Sequence, residues 1–167
     1  FRVVTIKKGQ YTYGPQGTLH GSPYAPTEEE KDMVELGFET NSDITYRLYD
    51  WGRNMPDRPL HVEKVIDTVN IPDNQNMGVD IVEKDVNGCK VAYFIDKPGI
   101  FTAFRIRVDE NGTFERKEFM FLFCIDGEAE INGTVIKKGE TIFIPCDYGT
   151  LTIKGKAEFG GMTYRNL

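Results

Sequence analysis

Apolar residues alternate with polar ones in the second half of the chain, and turn residues separate the runs at regular intervals. This period of two predicts strands with one buried face. Asn132-Gly133 predicts a hairpin turn, because a type I′ turn needs positive φ at both central residues. Many short strands at this spacing indicate a sandwich or a barrel. The strands predicted here are Phe101–Val108, Thr113–Phe123, Ala129–Ile131, Thr134–Ile136, Thr141–Pro145, Leu151–Ile153 and Glu158–Tyr164.

The first half mixes short strand-like runs with one helical pattern. Between Arg58 and Val69, apolar residues recur at helical spacing, and Pro72 follows closely. This pattern predicts a helix near 58–69 that ends before the proline. Thr27–Val34, with Thr27 placed to cap an acidic first turn, predicts a second short helix. Strands are predicted at Phe1–Ile6, Gln10–Tyr13, Val34–Thr40 and Ile44–Tyr49.

Composition narrows the possible functions. Hydrophobic residues make up 40% of the 167 residues, which is enough for a core. The net charge of −6 is spread over both halves without a basic block, so we expect no nucleic-acid partner. Three widely spaced cysteines form no disulfide framework, which favours the reducing cytoplasm. No apolar run approaches the roughly 20 residues that span a membrane, and no signal peptide is visible.

Three segments in the first half follow one another in the order of a known family's motifs. They read KKGQYTYGPQGTLHG, ETNSDITYRLYDWGR and RPLHVEKVIDTV. The middle one fits the pattern N-S-D-T-T-Y-R-x-Y-D-W-x-R in register at every specified position except 44, which is Ile in place of Thr. The chain thereby resembles the type I mannose-6-phosphate isomerase family, and DGEAEINGTVIKKGETIFIPCDYGTLTIKGKAEF resembles the last domain of these enzymes. The resemblance covers nearly the whole chain but only the second part of the family's sequence.

The resemblance implies a mostly β fold of the cupin type. Residues 1–70 would be the C-terminal part of a catalytic cupin barrel, with one connecting helix near 58–69. Residues 71–167 would form a second, C-terminal cupin-like β-barrel or sandwich domain. The implied activity is interconversion of mannose 6-phosphate and fructose 6-phosphate through a zinc-assisted cis-enediolate. The partner is then a small sugar phosphate, and we expect neither nucleic acid nor membrane.

His20, in the G-T-x-H segment, is the zinc ligand that the resemblance implies in this chain. A catalytic zinc takes about three protein ligands, and the chain has only two histidines. His61 lies on the predicted helix, where we expect it to cap or pack. The chain begins at Phe1 without a methionine, directly in a strand-like run. We therefore expect the remaining zinc ligands upstream of Phe1, in a missing N-terminal segment or a separate chain.

Arg47 is the catalytic arginine that the resemblance implies. A guanidinium facing a polar cavity stabilises negative charge that develops on substrate oxygens. The alternative is a structural arginine paired with Asp43 or Asp50. Arg53 and Arg58 lie in predicted turns, where they either anchor a loop on nearby aspartates or bind phosphate.

The sequence departs from the family pattern at Gly37, where relatives usually carry a glutamate. Glu35 and Glu39 are two residues away on the same face of the predicted strand, so either could place a carboxylate near the same point. Otherwise the carboxylate is absent, and the activity or the substrate preference has changed. The second hypothesis is therefore a non-catalytic, sugar-binding or regulatory cupin that has lost its metal.

Overall fold

The helix and strands are those of a computed structural model of the chain. It describes residues 4, 7, 9–21, 35–40, 42, 44–53, 55–73, 78–79, 81–97 and 99–164. Within them it contains one helix, α1 (Val62–Thr68), and ten strands, so the prediction of a mostly β chain with one helix is confirmed for this part. The strands are β1 (Tyr11–Thr12), β2 (Gly78–Val79), β3 (Lys84–Val86), β4 (Cys89–Lys97), β5 (Phe101–Val108), β6 (Asn111–Phe114), β7 (Met120–Ile131), β8 (Thr134–Lys137), β9 (Thr141–Ile144) and β10 (Leu151–Thr163).

The chain divides into two units. The first consists of residues 1–6 and 12–78, and the second of residues 7–11 and 79–167. None of the described residues forms a helix long and apolar enough to cross a membrane. The assignment of 1–70 and 71–167 to two cupin-type domains remains a prediction.

The second unit is built on an eight-stranded antiparallel sheet. Its strands follow the order β3-β4-β5-β10-β7-β8, while β6 pairs with β10 and β9 pairs with β7. Along β5, Phe104, Ile106 and Val108 are buried, whereas Arg105 and Arg107 between them are only partly buried. This strand has the predicted bounds, because one of its faces is apolar and packs into the core.

The predicted hairpin at Asn132-Gly133 is also confirmed. These residues have φ of 47° and 88°, as a type I′ turn requires, and they join β7 to β8. The core behind these strands includes Cys124, which is fully buried as expected for a small hydrophobic residue. All three cysteines are free thiols.

One long strand replaces two that were predicted near the C-terminus. Leu151–Ile153 and Glu158–Tyr164 were separated by a Lys-Gly-Lys segment that resembles a turn, but β10 runs through it. Gly155 lies in the strand with φ of 126°, and a Cβ there would come within 2.7 Å of the Glu128 carbonyl oxygen. Gly155 therefore permits a close approach of β10 to β7, and the strand continues through it.

The first unit corrects several predicted elements. Residues 35–40 and 44–49 form no strand, and Ile44 and Tyr49 are 68% and 65% exposed. Apolar alternation produces a strand only where a neighbouring strand pairs with it, and none does so among the described residues. The predicted helix at Thr27–Val34 lies outside the described residues, as does the strand at Phe1–Ile6 except for Val4, which is not in a strand.

The helix is shorter than the predicted 58–69. It begins at Val62, after His61, and Val69 beyond its last residue is extended with ψ of 138°. Arg58 precedes Pro59, a position that disfavours helical geometry. The backbone N–H of His61 donates to the carbonyl oxygen of Arg47. The residue before α1 is therefore hydrogen-bonded outside the helix.

Candidate functional site

Arg47 is tied by its backbone to the residue before α1. Its N–H donates to Nδ1 of the His61 ring at 3.2 Å, and its carbonyl oxygen accepts the His61 N–H at 2.8 Å. The ring of His61 therefore acts as a hydrogen-bond acceptor toward a residue 14 positions away. From the sequence we expected His61 to cap or pack, and this contact with Arg47 was not predicted. The one hint in the sequence that the two residues lie close together was that both belong to segments that match the family's motifs.

The side chain of Arg47 is also held. Its Nε lies 3.7 Å from Oδ1 of Asp50, and its Nη1 donates to the carbonyl oxygen of Pro59 at 3.5 Å. The side chain is 20% exposed, so part of the guanidinium still reaches solvent. The ion pair with Asp50, given above as the structural alternative, is present. Asp43 lies outside the described residues.

Asp50 is the centre of a cluster of arginines. Its carboxylate is nearly buried and accepts hydrogen bonds from Arg53 Nη2 at 2.7 Å and from Arg58 Nε and Nη2 at 3.3 Å. Arg53 and Arg58 thus make the loop-anchoring contacts that the sequence analysis gave as one of two roles for them. Because this carboxylate has cationic partners, it stays ionised although little water reaches it.

The cluster shifts the acidity of its members. The hydrogen bond from Arg58 lowers the pKa of Asp50 below its ordinary value, and the charges of Arg53 and Arg58 act in the same direction against the effect of burial. In turn, the hydrogen bond and the charge of Asp50 raise the pKa of Arg58. Both groups are therefore more firmly charged than they would be in water.

His20 lies in a loop that is anchored to the end of α1. The backbone N–H of Asn70 donates to the carbonyl oxygen of Gly17 at 2.9 Å, and the Asn70 side chain donates to that of Gln16 at 2.9 Å. Gly17 has φ of 80°, and a Cβ there would approach the Thr68 carbonyl oxygen to 2.9 Å, so the loop requires glycine at this point.

The ring of His20 has the tautomer that suits a metal ligand. Its Nδ1 lies 2.9 Å from the carbonyl oxygen of Thr18. Because a carbonyl oxygen only accepts, the proton must be on Nδ1, and Nε2 of the neutral ring keeps its lone pair. The hydroxyl of Thr18 is buried and has no hydrogen-bond partner within the described part of the chain. His20 is exposed.

A complete metal site is not formed by the residues that the structure describes, since they contain no group of three or more His, Cys, Asp or Glu side chains that could hold an ion. Glu35 and Glu39 are exposed. Within the described ranges, no hydrogen bond or ion pair links either glutamate to His20 or Arg47. The described residues alone therefore do not supply a set of zinc ligands.

Comparison with known proteins supports the resemblance. Residues 93–160 match the family model described as mannose-6-phosphate isomerase, cupin domain. Two curated proteins of Bacillus subtilis align with nearly the whole chain. A probable mannose-6-phosphate isomerase, GmuF, is 27% identical over 95% of this chain, and mannose-6-phosphate isomerase ManA is 28% identical over 94%. Each alignment covers 50% of the relative, so the chain spans about half the length of these proteins.

Solved structures show the same fold. A crystal structure of mannose 6-phosphate isomerase from Bacillus subtilis superposes with a TM-score of 0.63 at 23% identity, covering 73% of this chain and 41% of that one. A zinc-bound mannose 6-phosphate isomerase superposes with a TM-score of 0.55 at 18% identity, covering 67% and 29%. Residues 93–160 thus match a mannose-6-phosphate isomerase cupin-domain model, and nearly the whole chain is similar to about half the length of curated mannose-6-phosphate isomerases.

Proposed function

We propose that this chain is part of a sugar-phosphate isomerase that interconverts mannose 6-phosphate and fructose 6-phosphate. The observation that carries the proposal is the alignment of 95% of the chain with curated proteins of that name. Because the chain spans half of their length, the activity is proposed for the whole protein. The first unit would supply Arg47 and His20 to the site.

The reaction moves a proton between C1 and C2 of the open-chain sugar through a cis-enediolate. Negative charge develops on the oxygens of that intermediate, and a fixed guanidinium stabilises it without reorganising at the moment of reaction. In our proposal this guanidinium belongs to Arg47. Support comes from its restraint, since His61 holds its backbone while Asp50 and Pro59 hold its side chain.

The proton carrier is proposed to be the carboxylate of Glu39 or Glu35. A general base must come within hydrogen-bond reach of the proton that it removes, and contacts in a free enzyme often tighten only when substrate binds. Both side chains are exposed and therefore accessible to a substrate. The choice between them stays open.

Zinc is the proposed cofactor, with His20 as one of its ligands. When bound, zinc supplies a Lewis acid and a template for substrate oxygens. The contribution of this chain is to orient the ring of His20 through Thr18, which leaves Nε2 as the donor atom. This arrangement resembles the outer hydrogen bond that metal-binding histidines usually make.

The direct test is conversion of mannose 6-phosphate by the complete protein, with unphosphorylated mannose as the control substrate. The proposal expects fructose 6-phosphate to form, with solvent deuterium appearing at C1 or C2 when the reaction is run in D₂O. No conversion by zinc-loaded protein, together with measurable sugar binding, would favour the alternative of a non-catalytic sugar-binding cupin.

A further inference from the structure

A cavity lies in the second unit where two strand edges face each other without forming a ladder. On one side, β3 ends the sheet, and on the other β6 pairs only with β10 within the described strands. A single backbone hydrogen bond, from the Thr113 N–H to the Asn87 carbonyl oxygen at 3.0 Å, joins the two sides. The gap between β3 and β6 encloses about 340 Å³. This volume is at the lower end of the roughly 300–1,000 Å³ typical of small-molecule sites.

An aromatic ring forms one wall of this β3–β6 gap. Tyr93 follows Cys89 and Val91 on β4 at a spacing of two, yet it is 46% exposed while they are buried. Arg116 fixes the ring. Its guanidinium lies 5.8 Å from the ring centroid, and its Nη1 donates to the Tyr93 hydroxyl at 3.4 Å. The Tyr93 ring also packs beside the Phe104 ring, and the two ring centroids are 5.9 Å apart. The gap therefore has a partly exposed aromatic wall that is held by two neighbouring side chains, and a ligand would order such a wall at little cost.

Polar side chains complete the lining. Glu115, Thr150, Thr113 and Asn87 contribute a carboxylate, two hydroxyls and an amide, and Val86 and Phe114 add apolar surface. The Thr150 hydroxyl donates to Oε2 of Glu115 at 2.5 Å, which orients the carboxylate. A carboxylate offers about four acceptor sites, so it can accept further hydroxyl donors. Such a lining matches a ring that carries several hydroxyl groups.

The charge of the lining disfavours an anionic ligand. Among the described residues that line the gap, Glu115 is the one with an acidic or basic side chain. The neighbouring Arg116 is 11% exposed, and its Nε lies 3.3 Å from Oε2 of Glu118, so its charge is already compensated. A phosphate placed in the gap would face the Glu115 carboxylate, while Arg116 at the wall is already paired with Glu118, and this disfavours the phosphate.

We propose that the β3–β6 gap binds the ring of an uncharged sugar. Tyr93 packs against the C–H face of the ring, because the face of an aromatic system is negative and attracts polarised hydrogens. Glu115 accepts hydrogen bonds from the sugar hydroxyls. This inference goes beyond the isomerase proposal, since it concerns residues of the second unit and an unphosphorylated ligand.

The test is an NMR titration of the isotope-labelled protein with D-mannose and D-glucose, and separately with mannose 6-phosphate. We expect saturable shifts of the Asn87, Thr113 and Thr150 amides with a sugar, and weaker binding of the phosphate ester. Glu115→Gln should weaken sugar binding at least about tenfold, since it removes a charged acceptor. Glu128→Gln is the matched control, because Glu128 is an exposed partner of Lys137 elsewhere in the unit, and it should leave binding unchanged.

Tyr93→Ala should weaken sugar binding by a similar factor. Because Tyr93 packs on Phe104, the Tyr93→Ala protein could fail to fold, and in that case the result with Glu115→Gln is the test of the inference. The inference is overturned if neither sugar shifts these amides, if Glu115→Gln leaves the sugar concentration needed to shift them unchanged, or if mannose 6-phosphate shifts them at a lower concentration than mannose does. None of these outcomes bears on isomerisation, which is assayed by product.

Discussion

Arg47 and His61 hold each other through two hydrogen bonds, one in which the His61 ring accepts the Arg47 N–H and one in which the Arg47 carbonyl oxygen accepts the His61 N–H. The pair joins an irregular segment to the start of α1. It fixes the backbone from which the proposed catalytic guanidinium extends. An imidazole nitrogen here replaces the acceptor that a partner strand would provide.

We predict that His61→Ala leaves the Arg47 N–H without its acceptor and destabilises the protein by about 1 kcal/mol, as for an ordinary lost hydrogen bond. Turnover should fall while zinc content is unchanged. His61→Asn should restore part of the stability and part of the turnover, because the asparagine side-chain oxygen can accept the Arg47 N–H in place of Nδ1. Urea unfolding and steady-state kinetics measure the two effects. Equal stability and turnover in all three proteins would show that the contact has no positioning role.

Asp50 should make stability depend on pH in the acid range. Its pKa is lowered below 3.8, chiefly by the hydrogen bond from Arg58, so the folded protein binds a proton there less readily than the unfolded chain. The stabilisation is therefore complete above 3.8 and is lost as the pH falls through the lowered pKa. The difference in Tm between the wild type and Asp50→Asn should therefore become smaller as the pH falls below 3.8.

Asp109→Asn is the control for this measurement, because Asp109 pairs with Lys90 on the exposed surface, at 3.6 Å. Exposed pairs contribute little to stability, so its Tm should follow the wild type throughout. An Asp50→Asn difference that stays constant down to about pH 2 would contradict the role given to the cluster.

Gly37 offers a test of the missing carboxylate. A Cβ added there meets no atom within 4 Å, so a larger side chain fits without displacing a neighbour. If the family's carboxylate is needed at this position, Gly37→Glu should raise turnover above the wild type, whereas Gly37→Gln should not. If Glu39 or Glu35 already supplies this carboxylate, Gly37→Glu should leave turnover nearly unchanged, and Glu39→Gln or Glu35→Gln should lower it. Unchanged turnover in all four variants would exclude a carboxylate from this segment.

Sequence patterns predicted those parts of the second unit that are defined locally, but the predicted strand Thr113–Phe123 was wrong, since it is divided between the end of β6 and the start of β7. Phe101–Val108 alternates between core and surface, and Asn132-Gly133 dictates its own turn. The division of β10 into two predicted strands was wrong, because the glycine between them, Gly155, permits close strand approach and does not form a turn.

The first unit was predicted less well because its structure depends on contacts distant in sequence. Ile44–Tyr49 has the alternation of a strand, but strand formation needs a partner that local sequence does not specify. The pairing of Asp50 with Arg53 could be anticipated, since they are three residues apart. The contact between Arg47 and His61 could not, because nothing in either segment alone indicates it.

His20 should be required for metal retention. Since its Nδ1 proton is committed to Thr18, Nε2 is the atom that would coordinate zinc. We expect His20→Ala to lose most of the bound zinc in the complete protein, as measured by elemental analysis after dialysis, while the fold persists by circular dichroism. His61→Ala should keep its zinc, because the Nδ1 of His61 is occupied by Arg47. A His20→Ala protein with a full equivalent of zinc would remove His20 from the ligand set.

The most direct test of the account is the turnover of mannose 6-phosphate by Arg47→Ala, beside Arg107→Ala, whose side chain pairs with Glu83 in the second unit. Removing a fixed group that stabilises transition-state charge typically costs about 100-fold or more in kcat. We predict a loss of that size for Arg47→Ala with zinc still bound, and wild-type turnover for Arg107→Ala. Wild-type turnover in Arg47→Ala would contradict the central claim.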